Sequence, residues 1–150
     1  MQNFPEIKFD ILSKENMNQN QPIVFVCEHG AAKSIIAAAY FNKLAQEKNL
    51  EVRAIARGTH PDLELSPKAI AGLKDDGLSP TELVPQQLSL ADIQSAQRII
   101  TFCELPAEYQ TKASVDLWDG VPPVSENYEK ARDAILEHIN QLLKQQENQS

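Results

Sequence analysis

Runs of apolar residues alternate along this chain with segments in which apolar residues recur at helical spacing. The runs PIVFVC (22–27) and RIITFC (98–103) are almost continuously apolar and rich in β-branched side chains, and EVRAIA (51–56) is a weaker example. Continuous apolar runs are typical of strands buried on both faces of a sheet. A shorter segment, TELV (81–84), predicts a brief further strand.

Helices are predicted between and after these strands. Residues 33–49 place apolar side chains at steps of four, and residues 66–77 carry a serine cap, a proline in the first turn and a closing glycine. Residues 89–96 begin with a serine–aspartate capping pattern, and a last helix is predicted from about Glu126 to Leu143. We interpret residues 104–125 as a loop. Strands that alternate with helices predict an α/β fold, a parallel sheet with helices on both faces.

Length and composition predict one domain. The 150 residues, 42% of them hydrophobic, suit a domain over residues 22–144, with a flexible extension (1–21) and a disordered tail (145–150). The net charge of -7 leaves no basic stripe for nucleic acid. No apolar run reaches the roughly 20 residues that span a bilayer, and no leader is visible, so we expect a cytoplasmic protein with no membrane contact.

The two cysteines and three histidines also limit the chemistry. Two cysteines are too few for a disulfide scaffold, and the scattered histidines show no metal-ligand spacing, so we expect neither a metal nor a cofactor. Both Cys27 and Cys103 end predicted strands. In parallel sheets the ligand crevice lies beyond that edge, which makes both thiols candidate site residues.

The segment CEHGAAKS (27–34) has the pattern of an anion site. A strand, a loop of small residues and a helix start leave free N–H groups pointing into the loop. Gly30 can take a positive φ, and Ala31 and Ala32 leave room for the chain to curl. The same N–H groups, with the Ser34 hydroxyl, stabilise a thiolate, the nucleophilic form of cysteine. The alternative is that Cys27 is a buried, inert hydrophobe.

This segment resembles the C-x5-R-[ST] phosphate loop of the low-molecular-weight protein tyrosine phosphatases. It is more similar still to the loop of their relatives, the thioredoxin-type arsenate reductases, where Cys-x-His-Asn-Ala-Gly-Arg-Ser is common. The segments 56–79, 98–103 and 117–139 resemble family segments in the same order, so the likeness covers about residues 22–143. It implies a three-layer sandwich with a four-stranded, mostly parallel sheet in the order 2-1-3-4.

The resemblance also implies a thiolate-dependent oxyanion enzyme. Cys27 would attack arsenate or a phosphoryl group, Cys103 would resolve the oxidised thiol, and Asp119 would be the acid. The expected substrate is a small oxyanion, that is, arsenate, phosphate or a phosphate monoester, and the expected reductant is thioredoxin or a low-molecular-weight thiol. The residues expected to hold the oxyanion, by main-chain N–H groups and one side-chain charge, are Glu28, His29, Gly30, Ala31, Ala32 and Lys33.

The sequence departs from the family pattern at four places. Lys33 replaces the arginine, so the charge remains but the two-pronged contact is lost. Gly30 replaces the asparagine, Pro122-Pro123 stands where Asp-Pro is expected, and the reductases' third cysteine is missing. Asp119, with Asp116 the next nearest, is equally well explained as a turn former. Three readings stay open: an arsenate reductase, a phosphatase, and a non-catalytic phosphate- or phosphopeptide-binding protein.

Overall fold

Four parallel strands form the central sheet of the computed structural model, which describes residues 21–109 and 115–149. The sheet order is β2-β1-β3-β4, and all three pairings are parallel. The α/β fold and the order 2-1-3-4 are therefore confirmed. The predicted extension of residues 1–21 lies, apart from Gln21, outside the described residues. The strands are β1 (Ile23–Cys27), β2 (Ala54–Gly58), β3 (Arg98–Thr101) and β4 (Val115–Leu117).

Helices cover both faces of the sheet. Three of them share one core with Ile23 and Phe25 of β1, and the short third helix packs in a second core with Val24 and Val26. Successive strand residues point to opposite faces, so β1 is buried on both sides, and the three-layer prediction is confirmed. The helices in the described residues are α1 (Lys33–Glu47), α2 (Pro67–Asp75), α3 (Leu90–Ser95) and α4 (Tyr128–Gln149), besides a 3-10 turn at Ala107–Tyr109.

Two strand predictions were wrong. Residues 81–84 form no strand, and Leu83 is 91% exposed. Glu82 contacts β2 through its side chain, in an ion pair with Arg57 (3.5 Å), and the isolated bridge to Gly58 comes from Gln87, outside this stretch. Conversely, β4 lies inside residues 104–125, which we interpreted as a loop. It is an edge strand of three residues, none of them buried, and so it lacks the apolar run that marked β1 and β3.

The last helix is longer than predicted. It begins at Tyr128 and continues through residues 145–149, where we predicted a disordered tail. The buried side chains of Leu142, Leu143 and Gln146 keep this end packed, and Lys48 of the turn after α1 forms an ion pair with Glu147. None of the described helices is long and apolar enough to cross a membrane.

Candidate active site

A cavity of about 730 Å³ opens at the carboxyl edge of the sheet, where β1 and β3 end. Its walls come from the loop after β1, from residues 62–67, from Phe102 and Cys103, and from residues 123–125. These segments are distant in sequence. They meet because parallel strands end at the same edge, and the loops that follow the strands line a common crevice.

Cys27 lies at the base of this cavity, at the end of β1. Its Sγ atom is 3.0 Å from Oγ of Ser34, the second residue of α1. The cysteine is 8% exposed and the serine is fully buried. A hydroxyl that donates to sulfur in this setting stabilises the thiolate, because the hydrogen bond is charge-assisted and shielded from water.

The loop after β1 leaves its N–H groups free. Four of its carbonyl groups accept hydrogen bonds from the segment after β2, whereas in the described part of the chain no N–H group of residues 28–32 donates to a protein acceptor. Helix α1 has no side-chain cap and no acidic residue in its first turn. The loop can therefore surround an anion with main-chain donors. The carbonyl bonds are Thr59 to Cys27 (3.2 Å), His60 to Glu28 (2.7 Å), Asp62 to His29 (3.0 Å) and Ser66 to Ala31 (2.9 Å).

A pair of glycines sets the path of this loop. Gly30 has the positive φ of 62° that the sequence allowed, and a Cβ atom there would lie 2.9 Å from the backbone of Gly58. A Cβ atom on Gly58 would lie 2.7 Å from the nitrogen of Gly30. The loop thus rests directly on the end of β2, at a separation that no larger residue permits.

Cys103 lines the same cavity as Cys27, and both thiols are free. Burial raises the pKa of the Cys103 thiol above its ordinary value, although the hydrogen bond between this thiol and the Thr101 hydroxyl acts in the opposite direction. The neighbouring Cys27 and Glu28 raise this pKa further. Cys103 therefore rests in the protonated form at neutral pH.

The charges around the cavity are mainly negative. Lys33 lines it, and so do the carboxylates of Glu28, Asp62 and Glu64. His29 lies between two of these, with Nδ1 3.2 Å from Asp62 and Nε2 3.8 Å from Glu28. Only Lys33 brings a permanent positive charge to the described lining, so the main-chain donors must supply much of the attraction for an anion.

The family model for low molecular weight phosphotyrosine protein phosphatases matches residues 22–150. The chain belongs to this family. A comparison with curated proteins found no match.

Solved structures from both branches of the low molecular weight phosphatase family share the fold. YfkJ from Bacillus subtilis is 21% identical, covers 87% of this chain and 97% of its own length, and superposes with a TM-score of 0.77. A low molecular weight protein tyrosine phosphatase from T. tengcongensis is 19% identical, with coverages of 84% and 99% and a TM-score of 0.75. The thioredoxin-dependent arsenate reductase of Corynebacterium glutamicum is 19% identical, with coverages of 97% and 74% and a TM-score of 0.68. The shared fold does not choose between the two activities.

The acid that we predicted for this family member is not in the cavity. Asp119 is exposed and does not line it, and Asp116 is held in β4 by Arg98, 2.6 Å away. The wall that follows Pro122 consists of Pro123, Val124 and Ser125. The structure therefore brings the predicted nucleophile, loop and second thiol together, but it does not bring Asp119 to them.

Asp62 and Glu64 line the cavity and were missed by the sequence analysis. They lie in a loop between β2 and α2, and nothing in HPDLELS (60–66) distinguishes a cavity carboxylate from a solvated one. The hydrogen bond from the Asp62 N–H group to His29 shows how the segment docks, and only the folded chain reveals it. Among the described residues, no cluster of three or more histidines, cysteines or carboxylates could hold a metal ion.

Proposed function

We propose that this protein reduces arsenate by the chemistry of two thiols. The observation that carries the proposal is that Cys27 and Cys103 line one cavity, next to a loop whose N–H groups are not used by the protein. Lys33 and the N–H groups of residues 28–33 hold the oxyanion, and Ser34 stabilises the Cys27 thiolate. A thioredoxin-dependent arsenate reductase has the same fold, so this fold is compatible with that chemistry.

In the first step the Cys27 thiolate attacks arsenic(V). A bond forms between Sγ and arsenic, one arsenic–oxygen bond breaks, and the departing oxygen takes up protons from solvent and leaves as water. Negative charge on the remaining oxygens meets the loop N–H groups and Lys33. Such preorganised donors stabilise a charge that develops during the reaction without needing to reorient.

In the second step Cys103 releases its proton to solvent in the cavity and attacks Sγ of Cys27. The sulfur–arsenic bond breaks, its electron pair passes to arsenic, and arsenite leaves as the two sulfurs are oxidised to a disulfide. Strands β1 and β3 are adjacent, with Val26 opposite Thr101, and parallel strands lie about 4.8 Å apart. Cys27 directly follows Val26 and Cys103 lies two residues after Thr101, and a disulfide between them requires a Cα separation within roughly 7 Å. A thiol such as thioredoxin or a low-molecular-weight thiol then reduces the bond.

Two other functions would use the same loop. A phosphatase needs the contact between Cys27 and Ser34 just as much, but the wall at residues 123–125 offers no carboxylate to protonate the leaving oxygen. A non-catalytic phosphate-binding protein would need only the loop, and the loss of the arginine fork at Lys33 favours it over a phosphatase.

Thiol counting during a single turnover tests the proposal. The reduced protein should lose two thiols for each arsenite formed, and phosphate should cause no loss. Cys27→Ser should form no arsenite, and Cys103→Ser should form no intramolecular disulfide. Arsenate that leaves both thiols free in the unmodified protein would contradict the proposal.

The variant Lys33→Arg separates the alternatives, with Lys144→Arg on α4 as the matched control. If only the fork is missing from a phosphatase, Lys33→Arg should raise aryl phosphate hydrolysis by on the order of 10²-fold. Under our proposal it strengthens oxyanion binding and leaves that hydrolysis near background, because the wall at residues 123–125 carries no carboxylate to act as the acid. A large gain in hydrolysis would favour the phosphatase.

A further inference from the structure

The chain contains two cysteines, so a disulfide between them must be opened inside the cavity by a thiol from outside. We propose that this external thiol attacks Sγ of Cys103, expels the Cys27 thiolate, and is a thiol whose other groups carry no negative charge. The inference rests on the proposed function, which supplies the disulfide. It identifies the sulfur that is attacked and the chemical class of the reductant.

Access favours Cys103 as the sulfur that is attacked. Cys27 is 8% exposed and lies beneath its own loop, against the buried Ser34. Cys103 is half-buried, follows the end of β3 and lies on the cavity wall. A nucleophile that enters the cavity therefore reaches Sγ of Cys103 more easily than Sγ of Cys27. The rate of thiol–disulfide exchange depends strongly on such access.

The leaving group favours the same choice. The thiolate that departs from a disulfide leaves faster when its charge is stabilised. The expelled Cys27 thiolate can accept hydrogen bonds from the hydroxyl of Ser34 and from loop N–H groups that have no protein acceptor among the described residues. The sulfur of Cys103 has one described hydrogen-bond partner, Oγ1 of Thr101 at 3.6 Å. Burial also raises the pKa of the Cys103 thiol, which disfavours the departure of Cys103 as a thiolate.

The disulfide is reduced in two exchange steps. The external thiolate forms a bond to Sγ of Cys103, the bond to Sγ of Cys27 breaks, and Cys27 departs with the electron pair as a thiolate. A second external thiol then attacks the sulfur of the first. The external thiols become a disulfide, and Cys103 leaves and takes up a proton. Cys27 is free after the first step, ready for the next oxyanion.

The charge of the cavity selects the reductant. Glu28, Asp62 and Glu64 line it against Lys33, and His29 is paired with two of the three carboxylates. Lys68 does not line the cavity, but its ammonium group donates to the carbonyl of Ser125, which does. Every attacking thiolate carries one negative charge, so differences between thiols come from their other groups. Additional anionic groups should be repelled here, and cationic groups attracted.

Mapping the mixed disulfide tests the attack site. The protein is oxidised with diamide, and the intramolecular disulfide is confirmed as a mass loss of two hydrogen atoms. A brief pulse of cysteamine is quenched with N-ethylmaleimide, and the peptides are sequenced. We expect cysteamine on Cys103 and maleimide on Cys27. Cysteamine on Cys27, or no intramolecular disulfide at all, would overturn the inference.

A series of thiols tests the charge. Cysteamine, 2-mercaptoethanol and 2-mercaptoethanesulfonate are compared at equal thiolate concentration. We expect cysteamine to exceed the sulfonate roughly threefold or more at low salt, and the ratio to approach one at about 0.5 M salt. Glu64→Gln should reduce the ratio, and Glu137→Gln, on α4 outside the cavity lining, should not. A ratio near one at low salt would refute the charge selection.

These outcomes are separable from those of the proposed function. Diamide makes the disulfide without arsenate, so the attack site is measured even if arsenate is not a substrate. A protein that oxidises its thiols with arsenate but carries cysteamine on Cys27 would keep the proposed function and lose this inference. A protein that carries cysteamine on Cys103 but does not react with arsenate would keep this inference and lose the proposed function.

Discussion

The reactivity of Cys27 depends on one neighbouring side chain. Ser34 is fully buried and its Oγ atom is 3.0 Å from the sulfur, so Ser34→Ala removes the hydrogen bond that, under our proposal, stabilises the thiolate. Such bonds contribute about 1.5–3 kcal/mol, and we expect the alkylation of Cys27 by iodoacetamide at pH 7 to slow roughly tenfold. The control is Ser89→Ala, which removes the N-cap of α3 and should leave the alkylation rate unchanged. Equal rates in all three proteins would show that the hydroxyl does not stabilise the thiolate.

At this scale the sequence indicated residues 27–34 and Cys103, which the structure places around one cavity, and it did not indicate Asp62 and Glu64. Residues 27–34 could be assigned because a strand, a loop and a helix start occur in one short segment. Asp119 was predicted as the aspartate nearest to Pro122-Pro123, but it lies beside Gly120, which has a φ of 82° in a turn, and the aspartate is exposed. Asp62 reaches the cavity only through the docking of its segment on the loop after β1.

At the scale of elements, the junction between the loop after β1 and the end of β2 holds the anion loop in shape. Gly30→Ala places a methyl group 2.9 Å from the backbone of Gly58 and also strains a left-handed residue. Gly77→Ala is the matched control, because its φ is 79° and nothing lies within 4 Å of the added atom. We expect a cost of about 1–2 kcal/mol for the control and about 1–3 kcal/mol more for Gly30→Ala in urea unfolding. Equal costs would mean that the contact is not tight.

A second junction joins three helices through Asp76. This carboxylate accepts hydrogen bonds from Tyr40 of α1 (2.5 Å) and from Tyr128 (2.8 Å) and Arg132 (3.1 Å) of α4. Burial tends to raise its pKa, but these hydrogen bonds and the Arg132 charge outweigh burial and lower the pKa below its usual 3.8. A group with a lowered pKa stabilises the fold above its unfolded value, and this stability is lost as the pH falls through the folded value.

We therefore expect Asp76→Asn to lower the free energy of unfolding by about 2 kcal/mol at pH 7, and the difference to shrink below about pH 4. The exposed neighbour Asp75→Asn is the control and should change stability by less than about 0.5 kcal/mol. On the alkaline side, burial and the bond to Asp76 raise the pKa of Tyr40 from 10.0 to about 12. The stability that it contributes is present below pH 10.0 and is lost as the pH rises towards 12. A pH-independent difference for Asp76→Asn would contradict this account.

Among the strands, the sequence patterns were clearest for those that are almost entirely buried. β1 has five fully or almost fully buried residues, and three of the four residues of β3 are buried, so their apolar runs were visible. β4 pairs only with β3, and its Asp116 serves an ion pair with Arg98 instead of a core. The position of such a strand depends on its pairing with a strand that is distant in sequence, and a local sequence pattern does not reveal that pairing.

At the scale of the whole molecule, the net charge of -7 opposes the approach of an oxyanion. The carboxylates of Glu28, Asp62 and Glu64 add to this negative field at the cavity itself. An approaching oxyanion is therefore repelled by the protein surface at long range and attracted by the N–H groups of the loop after β1 only at short range. Salt screens the long-range part first, since the Debye length falls to about 8 Å at physiological ionic strength.

We expect kcat/KM for arsenate to rise roughly threefold between about 10 and 150 mM salt. Sodium chloride and sodium acetate should give the same trend, which separates screening from competition by one anion. Glu64→Gln should flatten the rise, and Glu137→Gln should leave it unchanged. A steady fall of kcat/KM in both salts would mean that attraction by Lys33 governs the approach of the substrate.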